Sequence, residues 1–385
     1  MKIVYCLPQI FKPGGIERIV SIKANYLAEF YGHEITLVVA DQRGKMPYYP
    51  ISSKVKVIDL ELPYDDLLSM PLYKRLVKRK KLQKTHKKKL EALLNDIRPD
   101  ITVSTFTHEA AFLPDIKDDS KKVLEFHFCR GHKRLMANAF KFRLLTKMAY
   151  YFKCWQEENL IIPKFDQFVV LTKEDRDAWK DKVSNVKYIP NILPFESGEC
   201  AELKNKTVIT VGRLDAQKNF GRLIMLWKPI HEACPDWKLN IFGEGCDRAD
   251  LQQLINELGL ADSVFLKGNT SHIKSEYLAA SLFVMTSAYE GMPMTMLEAK
   301  ALGLPVVSFA FPCGPSDLIN NGVDGYLVPQ NDDYGFVTSM IKVLNDENLR
   351  IGMGKKSKVG ALEYASDKVM NLWNNLFIEL CRKKD

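Results

Sequence analysis

The sequence alternates short, continuously apolar runs with longer stretches of helical spacing, and it does so twice. In the first half the runs are KIVYCL (2–7), EITLVVA (34–40), VKVIDL (55–60), DITVSTF (100–106), KVLEFHF (122–128) and FVVLT (168–172). In the second half they are TVITVGRL (207–214), WKLNIFGEG (237–245), VFLKGN (264–269), LFVMTS (282–287), PVVSFA (305–310) and GYLVP (325–329). A strand with one wet face alternates apolar and polar residues, whereas a strand covered on both faces does not. These runs therefore predict parallel sheets with helices on both sides, and two series predict two doubly wound α/β domains facing across a cleft. A chain of 385 residues, 46% of them hydrophobic, is long enough for two cores. The break is expected near 190–205, a stretch with prolines, a glycine and polar residues. The expected division is 1–195, 196–365 and a C-terminal amphipathic helix over 366–385. That helix has Ser366 as N-cap and packs back toward the first domain.

Charge is uneven. Residues 1–200 hold 35 Lys and Arg against 25 Asp and Glu, and the remainder hold 20 against 22. An anionic partner should approach the first half. The sharpest concentration is KRLVKRKKLQKTHKKKL (74–90), with ten Lys or Arg in seventeen residues and no acid. Leu72, Leu76, Leu90, Leu93, Leu94 and Ile97 fall near helical spacing around it. The stretch reads either as a solvated charged helix face or as a basic amphipathic helix resting on an anionic membrane. Aromatic residues are not interleaved through the run, which argues against nucleic-acid stacking. Eight cysteines show no C-x-x-C pair and no zinc spacing, so they are expected to be reduced thiols in a cytoplasmic protein. No apolar run reaches the ~18 residues of a membrane span. The first residues read as a buried strand rather than a signal peptide.

Three stretches carry chemistry. In PGGIERIV (13–20), Gly14 and Gly15 follow the first strand and open a helix, so backbone N–H groups can approach an anion. A tight turn would use the same residues. In VGRLDAQKNF (211–220), Arg213 and Lys218 stand in the loop after a strand, placed for a phosphate or diphosphate, although a solvated basic loop looks alike. In SAYEGMPMTMLEAKALGLPVV (287–307), Glu290 and Gly291 form a turn, with Met292 following. Pro293 fits a first helical turn, the N–H groups of Met294 and Thr295 point out of the helix start, and Gly303 ends the helix. Glu298 lies about a turn deeper. A carboxylate at either position can hold sugar or ribose hydroxyls, and an ordinary dipole-complementing acid is the plainer reading.

Taken in order, VGRLDAQKN, FGEG, VFLKGN, the 287–307 stretch and NGVDGYLVP resemble the second domain of GT-B glycosyltransferases of family GT4, and Glu290 and Glu298 match its E-x7-E motif. The resemblance is specific over 207–330 and otherwise rests on GGIER and the strand order. It implies a GT-B fold, retention of anomeric configuration and a nucleotide-sugar donor. Arg213 and Lys218 would then hold the diphosphate, Glu298 the ribose, Glu290 the transferred sugar and Gly15 the phosphate from across the cleft. The base would lie near Asn269 and Thr270. His127, ending the LEFHF strand, would stand near the sugar and acceptor. His108 and Glu109 are acceptor-side candidates. Asp317 in PCGPSDLI (312–319) stands where related enzymes often have glutamate. That loop leans the donor toward UDP-galactose, UDP-N-acetylgalactosamine or UDP-glucose types.

The resulting expectation is a hexosyltransferase moving Gal, GalNAc, Glc or GlcNAc from a UDP-sugar to a hydroxyl of a glycan or lipid-diphosphate-linked acceptor in bacterial surface polysaccharide synthesis. No cofactor or divalent metal is expected, because no D-x-D pair is suitably placed and two cations face the leaving group. The alternatives are a nucleotide-sugar epimerase of the same architecture, a dehydrogenase, which lacks the dinucleotide fingerprint, and a nucleic-acid-binding protein using 74–90.

Overall fold

The computed structural model describes residues 1–67, 69–139, 144–193 and 198–382. Two parallel sheets form. The first contains β1 (Lys2–Leu7), β2 (Glu34–Val39), β3 (Val55–Asp59), β4 (Ile101–Ser104), β5 (Lys121–Phe126), β6 (Gln167–Val170) and β7 (Val186–Tyr188), in the order β3-β2-β1-β4-β5-β6-β7. Its helices are α1 (Gly15–Glu29), α2 (Leu72–Ile97), α3 (His132–Ala139), α4 (Leu144–Gln156) and α5 (Lys173–Trp179). The second sheet contains β8 (Thr207–Val211), β9 (Lys238–Phe242), β10 (Val264–Gly268), β11 (Leu282–Met285), β12 (Val306–Phe309) and β13 (Gly325–Val328), in the order β10-β9-β8-β11-β12-β13. Around it lie α6 (Phe220–Ala233), α7 (Arg248–Glu257), α8 (Ile273–Leu278), α9 (Met294–Ala301), α10 (Pro315–Leu318), α11 (Asp333–Asn345) and α12 (Glu347–Ala361), and the chain ends in α13 (Ser366–Arg382).

The runs are apolar throughout because both faces of each sheet are covered. On β1, Ile3, Tyr5 and Leu7 pack into one core while Val4 and Cys6 pack into another on the opposite face. Helices α1 and α13 cover the first face. Helix α13 contributes Val369, Met370, Trp373, Leu376, Phe377 and Leu380 to the core under β1 and β2. The last helix of the chain thus stands in the first domain's core. Ser366 is its first helical residue rather than its cap, a displacement of one position. Strand β7 is absent from the sequence reading because VKY is three half-buried residues at a sheet edge, with no apolar run to mark it. Of the expected break, residues 194–197 lie outside the described residues.

The face shared by α1 and α13 also buries a charge pair. Lys23 on α1 and Glu125 on β5 are each 1% exposed, and the Lys23 ammonium bonds to the Glu125 carboxylate. The same ammonium lies 4.1 Å from the ring centroid of Trp373 and 5.5 Å from that of Tyr5. Burial lowers the Lys23 pKa, and Glu125 partly restores it. Burial also pulls the Glu125 pKa upward, but Lys23 and His127 outweigh it and leave it at about 2. Two aromatic rings complete a shell that the ion pair cannot obtain from water.

Trp373→Ala removes that ring and a fully buried indole. It is expected to destabilise the fold by about 3–5 kcal/mol. A urea unfolding midpoint unchanged from wild type would contradict this account of how α13 is held.

Candidate functional site

In both sheets the strand order reverses beside the first strand of the series, between β1 and β4 and between β8 and β11. Crevices at the carboxyl ends of such strands are where doubly wound folds take ligands. The loops after β1, β8 and β11 carry Gly14 and Gly15, Arg213 and Lys218, and Glu290, so the topology itself brings these residues together.

Two cavities open between the domains, with Arg213 lining both. One, of about 450 Å³, is lined by Gly15, His127, Asn191, Lys218, Tyr289 and Glu290, and by Gly291, Met292 and Met294. The other, of about 480 Å³, is lined by Arg18, Tyr49, Gly212, Asn269, Thr270 and Glu298. The expected donor groups therefore divide into a phosphate-and-sugar side and a base-and-ribose side. Gly14 and Thr295 line neither cavity. A side chain at Gly14 would run into the Glu17 carboxylate, whereas a Cβ at Gly15 would meet nothing within 4 Å.

Glu290 is almost fully buried. Its Oε1 accepts from Lys218 Nζ at 2.6 Å and from Ser287 Oγ at 2.7 Å. Its Oε2 has only a long 3.4 Å approach from Gln217 Nε2, so one oxygen fixes the lysine and the other is lightly held. Gln217 also donates to the Tyr289 carbonyl at 3.0 Å and accepts from Arg213 Nη2 at 3.0 Å. The stem of Lys218 lies across Gly212, where an added Cβ would come within 2.9 Å of it. Arg213, by contrast, extends into solvent with its side chain 71% exposed and Asp215 at 3.3 Å.

Glu298 sits within α9 and is likewise buried. Its Oε1 accepts from Arg18 Nη1 of the first domain at 2.7 Å, and its Oε2 accepts from the Tyr277 hydroxyl at 3.0 Å. Burial raises its pKa, and Arg18 and Tyr277 act against the rise. Pro293 occupies the position flanking α9 rather than its first turn.

His127 follows β5 on the same face as Glu125. Its Nε2 stands 3.1 Å from Glu125 Oε1 without the alignment of a hydrogen bond, and neither atom has another hydrogen-bond partner among the described residues. The two domains approach closely at this point. A Cβ on Gly291 would fall 2.1 Å from the His127 carbonyl oxygen, so only glycine lets the β11–α9 loop pass. Asn191 N and Nδ2 donate to the sulfurs of Met292 and Met294, both at 3.3 Å. Asn191 Oδ1 and the Tyr289 hydroxyl are buried with no hydrogen-bond partner among the described residues.

The acceptor-side expectations fare differently. Glu109 is 1% exposed and is consumed within its own turn, accepting from Ser104 Oγ at 2.6 Å and from the Thr107 hydroxyl. His108 stacks on Tyr64 at 3.7 Å, and burial pushes its pKa down to about 4. Neither residue lines either cavity, because the chain turns inward after β4. Asp317 reaches across to the first domain: its carboxylate accepts from the Lys173 backbone N–H at 2.7 Å, at the start of α5.

Residues 198–359 match the family described as glycosyl transferases group 1. The matched segment is the second domain, which carries Arg213, Lys218, Glu290 and Glu298. It is 27% identical over 388 residues to an uncharacterized glycosyltransferase of Haemophilus influenzae, covering 97% of this chain and 99% of that one. It is 26% identical, with the same coverage, to the amylovoran biosynthesis glycosyltransferase AmsD of Erwinia amylovora. To the α-1,4-N-acetyl-D-galactosaminyltransferase of Campylobacter jejuni named for a diNAcBac-PP-undecaprenol-linked glycan it is 25% identical, covering 99% of both chains. The S. aureus TarM structure with UDP superposes with a TM-score of 0.76, at 16% identity and over 98% and 99% of the two chains. The fold is GT-B.

In this chain, sequence reasoning missed Arg18, Gln217, Asn191, Lys23 and Glu125. Arg18 was in view inside GGIER. Nothing in the local sequence marks the others, since each matters through a partner between about 70 and 350 positions away. Gly291→Ala is expected to lower turnover by about 10²-fold by keeping the loop off His127, with little change in melting temperature. Wild-type turnover would show that the contact is not needed for the working state.

Proposed function

We propose that the protein transfers a hexose from a UDP-sugar to a hydroxyl of a glycan or lipid-diphosphate-linked acceptor in bacterial surface polysaccharide synthesis, with retention at the anomeric carbon. The observation that carries this is Lys218 Nζ on Glu290 Oε1 at 2.6 Å in a cavity that Gly15, Arg213 and His127 also line, beside Asn191 and Tyr289, whose buried Oδ1 and hydroxyl have no hydrogen-bond partner among the described residues. Buried polar atoms rarely lack partners, and a polyhydroxylated sugar supplies them. The relatives' named activities, and the UDP bound to TarM, support the donor and setting.

In this reading the base lies by Asn269 and Thr270, and the ribose hydroxyls take the lone pairs of Glu298 that Arg18 and Tyr277 leave. The diphosphate lies between Gly15 N–H, Arg213, Lys218 and the start of α9. The sugar lies against Glu290, His127, Asn191 and Tyr289. The C1–O bond to the diphosphate breaks and its electrons pass to the phosphate oxygen. The acceptor oxygen forms the new bond to C1, and its proton leaves with UDP. Lys218 and Arg213 meet the charge that grows on the leaving group, so no divalent metal is required. The chain would work in the cytoplasm. Among the described residues no helix is long and apolar enough to cross a membrane.

Lys218→Ala is expected to lower turnover about 10²–10⁴-fold, since it removes a charge matched to the leaving group and leaves Glu290 unpaired. Near-wild-type turnover would remove the lysine from the mechanism. A panel of UDP- and GDP-sugars, scored by hydrolysis and melting shift, should select a UDP-hexose, and EDTA should leave the rate unchanged. The anomeric coupling constant of the product reads retention directly. Isomerised sugar from donor alone would point instead to an epimerase.

A further inference from the structure

Helix α4 is amphipathic in the reverse sense, with its apolar face turned to solvent. Leu144, Leu145, Met148, Tyr151, Phe152 and Trp155 are exposed, from 44% for Tyr151 to 80% for Leu145. Their spacing of three and four places them on one side of the helix. Phe152 and Trp155 stack with centroids 6.0 Å apart. The inward side carries Cys154 instead, whose thiol lies 3.1 Å from Glu158, and Glu158 is held by Arg134 at 2.6 Å. An exposed apolar stripe of this kind marks an interaction surface.

The charges beside it identify the partner. The only charged residues within α4 are Lys147 and Lys153. The first turns of α2 add Tyr73, Leu76 and Val77, all exposed, and lead into the acid-free basic run. Burial lowers the pKa of Lys153 on α4, and the charge of Arg79 on α2 lowers it further. Aromatic and aliphatic side chains flanked by cations, with no acid among them, match the boundary between lipid tails and anionic head groups. Helix α4 packs on α3, and α3 lends His132 and Met136 to the cavity beside Lys218.

We propose that α4 seats its outward face in the head-group region of an anionic bilayer while the cations of α2 rest on the lipid phosphates. The cleft is thereby held at the membrane surface, where a lipid-linked acceptor is delivered. This docking goes beyond the donor chemistry proposed above and stands independently of it.

The protein carries its own probe. Of its five tryptophans, Trp155 is 52% exposed and Trp179, Trp227, Trp237 and Trp373 are buried. Full-length protein mixed with vesicles containing about one-third brominated phosphatidylglycerol should show quenched emission, weakening with salt, and should float with the vesicles. The Leu145→Glu/Phe152→Glu double variant should lower vesicle partitioning at least about tenfold, with melting temperature and vesicle-free donor hydrolysis unchanged. Any of three results overturns the proposal: no association of the wild type, equal association with neutral vesicles, or partitioning unaffected by the double variant. It is also overturned if sedimentation shows a wild-type dimer that the double variant dissolves while vesicles bind neither form, since the stripe would then be covered by a second copy. Loss of donor hydrolysis in every form would count against the donor reading and leave the docking result intact.

Discussion

The buried pair of Lys23 and Glu125 is the interaction on which the first domain's half of the site depends. It joins three elements distant in sequence: α1, whose N-terminus carries Gly15 and Arg18; β5, which runs directly into His127; and α13, which supplies Trp373. A buried ion pair adds little to net stability compared with an apolar replacement, but losing one partner costs about 3–5 kcal/mol because the other charge is stranded. The pair therefore acts as a constraint on position. Helix α1 cannot slide along the sheet without separating the charges, so the glycines at its start and the histidine at the end of β5 keep a fixed relation.

The second domain shows the same logic at its mouth. Lys218 and Glu290 come from loops after different strands, and each is held by the other. A lone ammonium facing a nucleotide would be free to follow any anion. One tied to a carboxylate, with its stem lying on Gly212, presents its remaining protons from a fixed place. Arg213 is the contrasting case, since its side chain is 71% exposed and is held by Gln217 Oε1 at 3.0 Å and Asp215 at 3.3 Å. In the proposed reading, the reaching cation would capture the diphosphate and the fixed one would hold it still.

Much of the fold was legible because burial on both faces writes itself into consecutive residues. Every strand of two faces and four or more residues stood out, and β7, short and half-exposed, did not. The loops after β1, β8 and β11 were legible for a related reason, since glycines and charges next to an apolar run interrupt it visibly. What the sequence could not show is pairing across distance. Glu125 reads as one more residue in a strand, and only the folded chain sets it against Lys23. Glu109 shows the same limit at short range. Its place beside His108 near a strand end made it an acceptor-side candidate, and in the fold Ser104 and Thr107 bond to it. The outward-facing stripe of α4 was equally hidden, because periodicity reveals that a helix has an apolar side and not which way that side looks.

The polypeptide passes from one domain to the other twice, once after β7 and once before α13, and the two passages touch. The Leu193 N–H donates to the Tyr364 carbonyl at 2.8 Å, and the Tyr364 hydroxyl donates to the Asp317 carbonyl at 3.0 Å. Two covalent tethers lying side by side resist torsion far more than flexure. Bending about that seam would part and rejoin the lobes more easily than twisting one against the other.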